Sequence, residues 1–237
     1  MSQVKALILA AGRGERMRPL TDHTPKPLLK VHGKPLIEWH IEALANAGVR
    51  DIVINTAWLE DQFPATLGDG SRWGVRLAYS HEGRDFGGAL ETLGGISRAL
   101  PLLGDTFWVV AGDIHAPSLV FPSDTASNLI ASNRLAHLWL VPNPPHNPRG
   151  DFGLASDGTA LNRAKQQHTY STVGLYRAAL FAPPWCDIPA GNPAGTKAPL
   201  APLLRAAMDN QRITAELFTG AWTDVGTPER LAQLNTL

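Results

Sequence analysis

The sequence predicts an α/β fold in a single domain, with a twisted mixed sheet, mainly parallel, flanked by helices. Three observations predict it. Short apolar runs bounded by turn residues are too brief for buried helices and read as strands covered on both faces. Between them lie segments whose apolar residues keep helical spacing, and such alternation implies right-handed crossovers between parallel strands. The first run leads straight into a glycine turn loaded with basic residues, at the sheet end where such folds bind ligands.

Residues 4–10, "VKALILA", form the first strand. Leu36, Ile37, Ile41, Leu44 and Ala45 mark a helix over 36–47, stopped by Gly48. "DIVINTA" at 51–57 is the second strand, followed by a helix over 60–67 and the strand "VRLAYS" at 75–80. A helix over 92–100 precedes the strand "FWVVAGD", so Gly12 and Asp113 are expected to face one crevice. The second half predicts a helix over 127–134, the strand "AHLWLVP", a turn-rich stretch at 143–151, and a hairpin around Asp157 and Gly158. "TYSTVGLY" is a further strand, and 182–199, rich in proline and glycine, reads as an exposed loop. A helix over 200–210 and a last one with Thr227 as N-cap and Pro228 at its first position close the chain.

Composition excludes several classes of function. The 237 residues carry 21 basic and 21 acidic side chains, so no global field attracts nucleic acid or an anionic membrane. A lone cysteine, Cys186, excludes an intrachain disulfide framework and fits a reducing compartment, so a cytoplasmic location is expected. No apolar run approaches a membrane span, and the start lacks the shape of a secretion signal. Any basic site must be local.

Such a site is expected in the turn after the first strand. Gly12 and Gly14 let backbone N–H groups point into the crevice, and Arg13, Arg16, Arg18 and Lys26 crowd positive charge into one segment. The loop lacks the Lys-Ser/Thr of a Walker A motif, and Met17 stands where a dinucleotide fingerprint needs its third glycine. In "TPKPL", Pro25 and Pro27 are expected to hold Lys26 on a stiff extended segment, ready for a phosphate.

The ordered pattern "LAAGRGERMRPLT", "PKPL" and "GKPLIEWHIEAL", with "GD" at 112–113 and "WTDVGTPERL" at 222–231, closely resembles the signature of sugar-1-phosphate nucleotidylyltransferases. Within that family "INTAWLEDQ", "LETLGGI", "NPPHNPRGDF" and "LAPLLRAAM" resemble the short uridylyltransferases of N-acetylmuramate α-1-phosphate in cell-wall recycling. The resemblance implies a single Rossmann-like nucleotidyltransferase domain over 1–237, with a nucleotide-binding half to about residue 115 and a sugar-phosphate half beyond it. It implies transfer of a nucleoside monophosphate from a triphosphate to a sugar 1-phosphate, with Mg²⁺ as cofactor, in a monomer or small homo-oligomer. Mannose-1-phosphate guanylyltransferase, a choline-phosphate cytidylyltransferase and an inactive nucleotide-sugar sensor are the alternatives.

By the resemblance, Arg16 holds the β- and γ-phosphates, and Lys26 bridges the α-phosphate and the incoming sugar phosphate. Backbone from Leu9 through Ala10, Ala11, Gly12 and Gly14 contacts the nucleotide, and Glu91, Thr92 and Gly94 supply base contacts. Asp113 and Asp224 map to the metal ligands, although alone the first reads as a cap after a strand and the second as an Asx-turn before Gly226. Phe152, Gly153, Gly174 and Trp222 fall on the sugar side. Lys165 lies near a lysine that grips the sugar phosphate in relatives, and Lys197 is either a partner for a sugar acid or a solvated loop lysine. Leu93 departs from the Glu-Thr-Gly-Gly-Gly run of the nearest relatives, and a positive φ there would strain it. His115 is expected to point outward beside the cleft, with no second ligand at metal spacing. Trp39, Trp58, Trp73, Trp108 and Trp139 read as core or helix-face packing, and Cys186 has no partner that marks a nucleophile.

Overall fold

The computed structural model describes residues 4–236; Met1, Ser2 and Gln3, where the reading of the start as no secretion signal begins, and Leu237 lie outside them. In chain order, β1 (Lys5–Leu9) is followed by β2 (Lys30–Val31), β3 (Lys34–Pro35) and α1 (Leu36–Asn46). Then come β4 (Asp51–Thr56), α2 (Gln62–Leu67), β5 (Arg76–His81), α3 (Glu82–Phe86), α4 (Glu91–Ala99), β6 (Thr106–Ala111) and β7 (Ile114–His115). The second half holds α5 (Ser123–Ala131), β8 (Ala136–Val141), β9 (Gly153–Leu154), β10 (Ala160–Leu161) and β11 (Thr169–Arg177). It ends with α6 (Ala201–Asp209), β12 (Ile213–Leu217), β13 (Thr223–Asp224) and α7 (Pro228–Thr236).

The main sheet has seven strands in the order β12-β8-β11-β6-β1-β4-β5, and only β11 runs antiparallel to its neighbours. Alternation along each strand sorts the core into two layers. Ala6 and Ile8 of β1, Ile52 and Ile54 of β4, and Trp108 and Val110 of β6 face α1, α2 and α5. Leu7, Val53, Phe107 and Val109 face the other way, against Leu93 and Ile96 of α4 and Leu203, Leu204 and Ala207 of α6. Burial on both faces is why these strands read as unbroken apolar runs.

The hairpin forms as expected, with Leu154 opposite Ala160 and Asp157 Oδ1 accepting the Thr159 N–H at 2.9 Å. Thr227 precedes α7, and its hydroxyl accepts the Arg230 N–H at 3.4 Å. The helix expected over 127–134 instead starts at Ser123, directly after Pro122, whose extended backbone excludes an earlier start. The short α3, the paired strands β2–β3 and β7–β13, and the edge strand β12 are additions, all too short for a periodic signal or carried on mixed polar residues.

The 182–199 loop is not simply exposed. Asn192 is fully buried, its amide donating to Gly94 O at 3.1 Å and Thr196 O at 2.9 Å. Ala198 O in turn accepts the N–H groups of Leu93 and Gly94, in the first turn of α4, at 2.9 and 3.2 Å. The loop thus completes a helix N-terminus that has no side-chain cap. At the other end of the chain, Asn235 of α7 takes the His32 N–H on its Oδ1 at 2.8 Å and donates to Lys30 O at 3.1 Å, closing onto the β2–β3 turn. Among the described residues no helix is long and apolar enough to cross a membrane.

Candidate active site

Two adjoining cavities open over the carboxyl ends of β1, β4 and β6, one of about 550 Å³ and one of about 270 Å³. Leu9, Gly12 and Asp113 line both. The smaller is walled by the turn after β1, including Gly14, Arg16 and Lys26, with Gly226 on the far side. The larger runs from Ala11, Asn55, Glu91 and Thr92 to Asp151, Phe152, Tyr170, Thr172 and Arg205.

The cations of the opening turn are not equivalent. Arg13 is spent on the fold: it donates to Thr21 O at 2.9 Å and Asp22 Oδ1 at 2.8 Å, and stacks on Trp58 at 3.8 Å. Arg18 also reaches Asp22, at 2.9 Å, and the hydrogen bond from Arg13 above all holds the Asp22 carboxyl below its usual range. Arg16, by contrast, lines the smaller cavity and has no ion pair among the described residues. Gly14, at φ 67°, is required twice: the conformation is left-handed, and a Cβ would sit 3.0 Å from Thr21 and 3.3 Å from Lys26.

Lys26 is not on an extended segment. It opens a tight turn over Lys26–Leu28, closed by the Leu28 N–H on Pro25 O at 2.9 Å, and the turn leaves the residue only 9% exposed. Its ammonium lies 2.7 Å from Asp113 Oδ2, so the lysine and the carboxylate meet where the two cavities join. The frame differs from the expected one, but Lys26 is held as firmly.

Asp113 and Asp224 are brought together by the β7–β13 pair, in which Asp224 stands opposite Ile114 and the Val225 N–H donates to Asp113 O at 3.0 Å. Asp224 is held by Arg230 and by His146 Nε2 at 2.9 Å. A Cβ on Gly226 would lie 3.0 Å from Asp224 Oδ2, 3.1 Å from Arg230 and 3.4 Å from Arg16, so these groups close around a glycine. The two carboxylates are hard oxygen donors beside a basic turn suited to phosphate, a donor set that fits Mg²⁺ completed by phosphate oxygens and water. Behind them, burial drives the His40 pKa down to about 4, so the ring is neutral and its Nε2–H donates to Ile114 O at 2.9 Å. His115 does not point outward: it is buried against Trp39, with ring centroids 5.1 Å apart, and burial lowers its pKa too.

At the other end, Glu91 and Thr92 line the larger cavity, and the left-handed backbone falls on Glu91, at φ 59°. Leu93 does not have the positive φ that would have strained it. It lies within α4, buried in the second core layer. Gly94 faces away from the cavity; a Cβ there would be 2.4 Å from Thr196 O. The Ala10 N–H is taken by Asn55, whose amide reaches Glu82; burial raises the Glu82 pKa, against the hydrogen bonds from Leu90 and Asn55.

On the sugar side only Phe152 of the expected residues lines the cavity. Gly153 and Gly174 lie behind the wall. A Cβ on the first would meet Ala164 at 2.4 Å, and one on the second would meet the Tyr176 ring at 2.7 Å. Gly174 thereby leaves room for the Tyr176 hydroxyl, 2.6 Å from that of Tyr170, which does line the cavity. Trp222 donates to Ser171 O at 3.2 Å and packs on the core beneath. Lys165 and Lys197 are exposed and outside both cavities. The cation that lines the sugar side is Arg205, which donates to Asn162 Oδ1 at 2.7 Å and lies 5.0 Å from the Phe152 ring. Its signal in sequence was faint: one charge beside Leu200, Ala201 and Leu204 on the face of α6 that meets the cleft. Asp151, Tyr170 and Thr172 carried none.

The family model described as "Nucleotidyl transferase" matches residues 5–237. An N-acetylmuramate alpha-1-phosphate uridylyltransferase of Neisseria meningitidis serogroup B is 50% identical over 99% of this chain and 98% of its own length. A protein of the same name from Caulobacter vibrioides is 31% identical over 94% of this chain and 92% of its own. Among solved structures, the CTP:phosphocholine cytidylyltransferase of Streptococcus pneumoniae superposes with a TM-score of 0.73 at 23% identity, covering 99% of this chain and 98% of that one. With the fold, the basic turn and these relatives in agreement, the chain belongs to the nucleotidyl transferase family and is an enzyme of its sugar-1-phosphate branch.

Proposed function

We propose that the protein transfers uridylate from UTP to N-acetylmuramate α-1-phosphate, with Mg²⁺, giving the UDP-sugar and pyrophosphate, and that it serves cell-wall recycling in the cytoplasm. The observation that carries the reading is the junction of the two cavities at Lys26 and Asp113, where a triphosphate along the basic turn would meet a phosphorylated sugar. The half of the chain up to about residue 115 takes the nucleotide, and the rest takes the sugar phosphate. Both uridylyltransferase relatives support the choice of substrates. So does Arg205, a guanidinium on the sugar side that suits a sugar carrying a carboxylate.

In this reaction an oxygen of the sugar phosphate forms a bond to the α-phosphorus of the triphosphate, and the bond to the bridging oxygen breaks, releasing pyrophosphate. The attacking oxygen is already ionised at neutral pH, so no general base is needed. Catalysis rests on alignment and on stabilising charge in transit. Lys26 approaches the α-phosphate and the incoming phosphate together, and Arg16 faces the leaving pyrophosphate. Asp113 and Asp224 would hold the Mg²⁺, which when bound neutralises phosphate charge.

Pyrophosphate release tests the reading, with UTP, GTP, CTP, ATP and dTTP each offered N-acetylmuramate, N-acetylglucosamine, glucose and mannose 1-phosphates and choline phosphate. Release with UTP and N-acetylmuramate α-1-phosphate is expected. GTP with mannose 1-phosphate, or CTP with choline phosphate, would replace it, and silence from folded protein would leave a nucleotide-sugar sensor.

A further inference from the structure

A line of three buried hydrogen bonds ties together two loops that edge the larger cavity. Asn55, in β4, and Glu82, which opens α3, are 3% and 0% exposed. The Ala10 N–H, in the turn after β1, donates to Asn55 Oδ1 at 2.8 Å, and Asn55 Nδ2 donates to Glu82 Oε1 at 2.7 Å. The Leu90 N–H, one residue before Glu91, donates to Glu82 Oε2 at 2.8 Å. The space is closed, since a Cβ on Gly95 would lie 2.6 Å from Glu82 Oε1 and 2.7 Å from Asn55 Nδ2.

The polarity of this line is fixed at both ends, because backbone amides only donate. The Ala10 N–H requires the oxygen of Asn55, which turns the Asn55 NH₂ toward Glu82. Glu82 therefore faces two donors, and it answers each with an oxygen as a carboxylate can and a carboxamide cannot. What it holds at one end is unusual backbone: Glu91 takes a left-handed φ of 59° that a non-glycine residue keeps only when its surroundings impose it. At the other end, Ala11 and Gly12 line the cavity directly after Ala10.

We infer that Glu82, through Asn55 on one side and Leu90 on the other, is a positioning residue that sets the distance between the Ala10–Gly12 and Leu90–Thr92 edges of the cleft, and with it the affinity for the nucleoside triphosphate. The inference rests on the reading of this half as the nucleotide half. Glu82 itself touches no substrate. Its charge matters because both of its neighbours donate.

The test moves the charge by one partner. In N55D/E82Q, the carboxylate at position 55 accepts from Ala10 and from the new amide at position 82, whose oxygen accepts from Leu90, so every donor keeps an acceptor. E82Q alone opposes donor to donor, and N55D alone opposes two carboxylates. Steady-state kinetics and amide hydrogen exchange are measured on the full chain for wild type, both single variants and the pair. E82Q is expected to raise KM for the nucleoside triphosphate about tenfold and leave KM for the sugar phosphate within about twofold, with faster exchange at Ala10 and Leu90. The pair is expected to return KM to within about threefold of wild type and to restore both protections. Unchanged KM and exchange in E82Q, or a pair that recovers neither, overturns the inference. If E82Q does not fold, the pair decides: folded with near-wild-type KM supports the inference, whereas unfolded, or folded with KM still raised, overturns it. Wild type that releases no pyrophosphate with any triphosphate would fell the transferase reading instead, and exchange at Ala10 and Leu90 would still decide the coupling.

Discussion

Four cations crowd the turn after β1, yet the fold spends two of them on Asp22 and leaves Arg16 and Lys26 facing the cleft. Sequence marks the cluster as basic but cannot tell which charges are neutralised internally, because Asp22 serves as partner only once the Arg18–Asp22 segment has folded back. The two that remain are those the family resemblance named. Lys26→Ala and Asp113→Ala are each expected to cut turnover by about two to four orders of magnitude at unchanged fold, as loss of transition-state charge stabilisation does. Near-normal turnover in both, with native circular dichroism, would discard the assignment. Arg205→Met should raise KM for N-acetylmuramate α-1-phosphate about tenfold while changing that for N-acetylglucosamine 1-phosphate far less, the ratio expected when a buried carboxylate loses its charged partner. Equal effects on both sugars would place Arg205 in general packing. Lys197, which the sequence offered for that carboxylate, is exposed and lines neither cavity; helix periodicity says which face of α6 is apolar but nothing about which loop residue reaches the cleft.

Elements with a clear period were legible: β1, α1, β4, β6, β8, β11 and the β9–β10 hairpin fall where apolar runs, helical spacing or Asp-Gly put them. What stayed hidden was made by partners distant in sequence. The start of α4 depends on Ala198 and Asn192 about a hundred residues away, and nothing in "GNPAGTKAP" signals that it caps a helix. This predicts a reversal of sign. Gly→Ala inside a helix ordinarily stabilises by about 1 kcal/mol. At Gly94 the added methyl would meet the Thr196 carbonyl at 2.4 Å, backbone that cannot turn aside. Gly94→Ala is therefore expected to lower stability by about 2 kcal/mol in urea titration, the usual cost of overpacking. A rise in the urea midpoint would mean that the loop moves aside freely.

At the scale of the whole molecule, burial has raised the pKa of every tyrosine. The chain has three. Tyr79 is pushed up to about 12, and Tyr170 and Tyr176, buried and sharing a hydrogen bond, are raised as well. The unfolded chain releases these protons from about pH 10, whereas the folded chain holds them to higher pH, so the tyrosines' contribution to stability is intact below pH 10 and falls as pH rises through the folded values. Phenolate absorbance should consequently appear in one cooperative step with unfolding. A tyrosine that titrates smoothly at pH 10 in folded protein would contradict this. The clasp of Asn235 on the β2–β3 turn carries a different kind of consequence, one of timing. Translation makes the basic turn well before Asp224, and Asp224 before the clasp residue Asn235. Half-made chains therefore hold an unfinished site, and synthesis cut short is expected to leave no partially working enzyme behind.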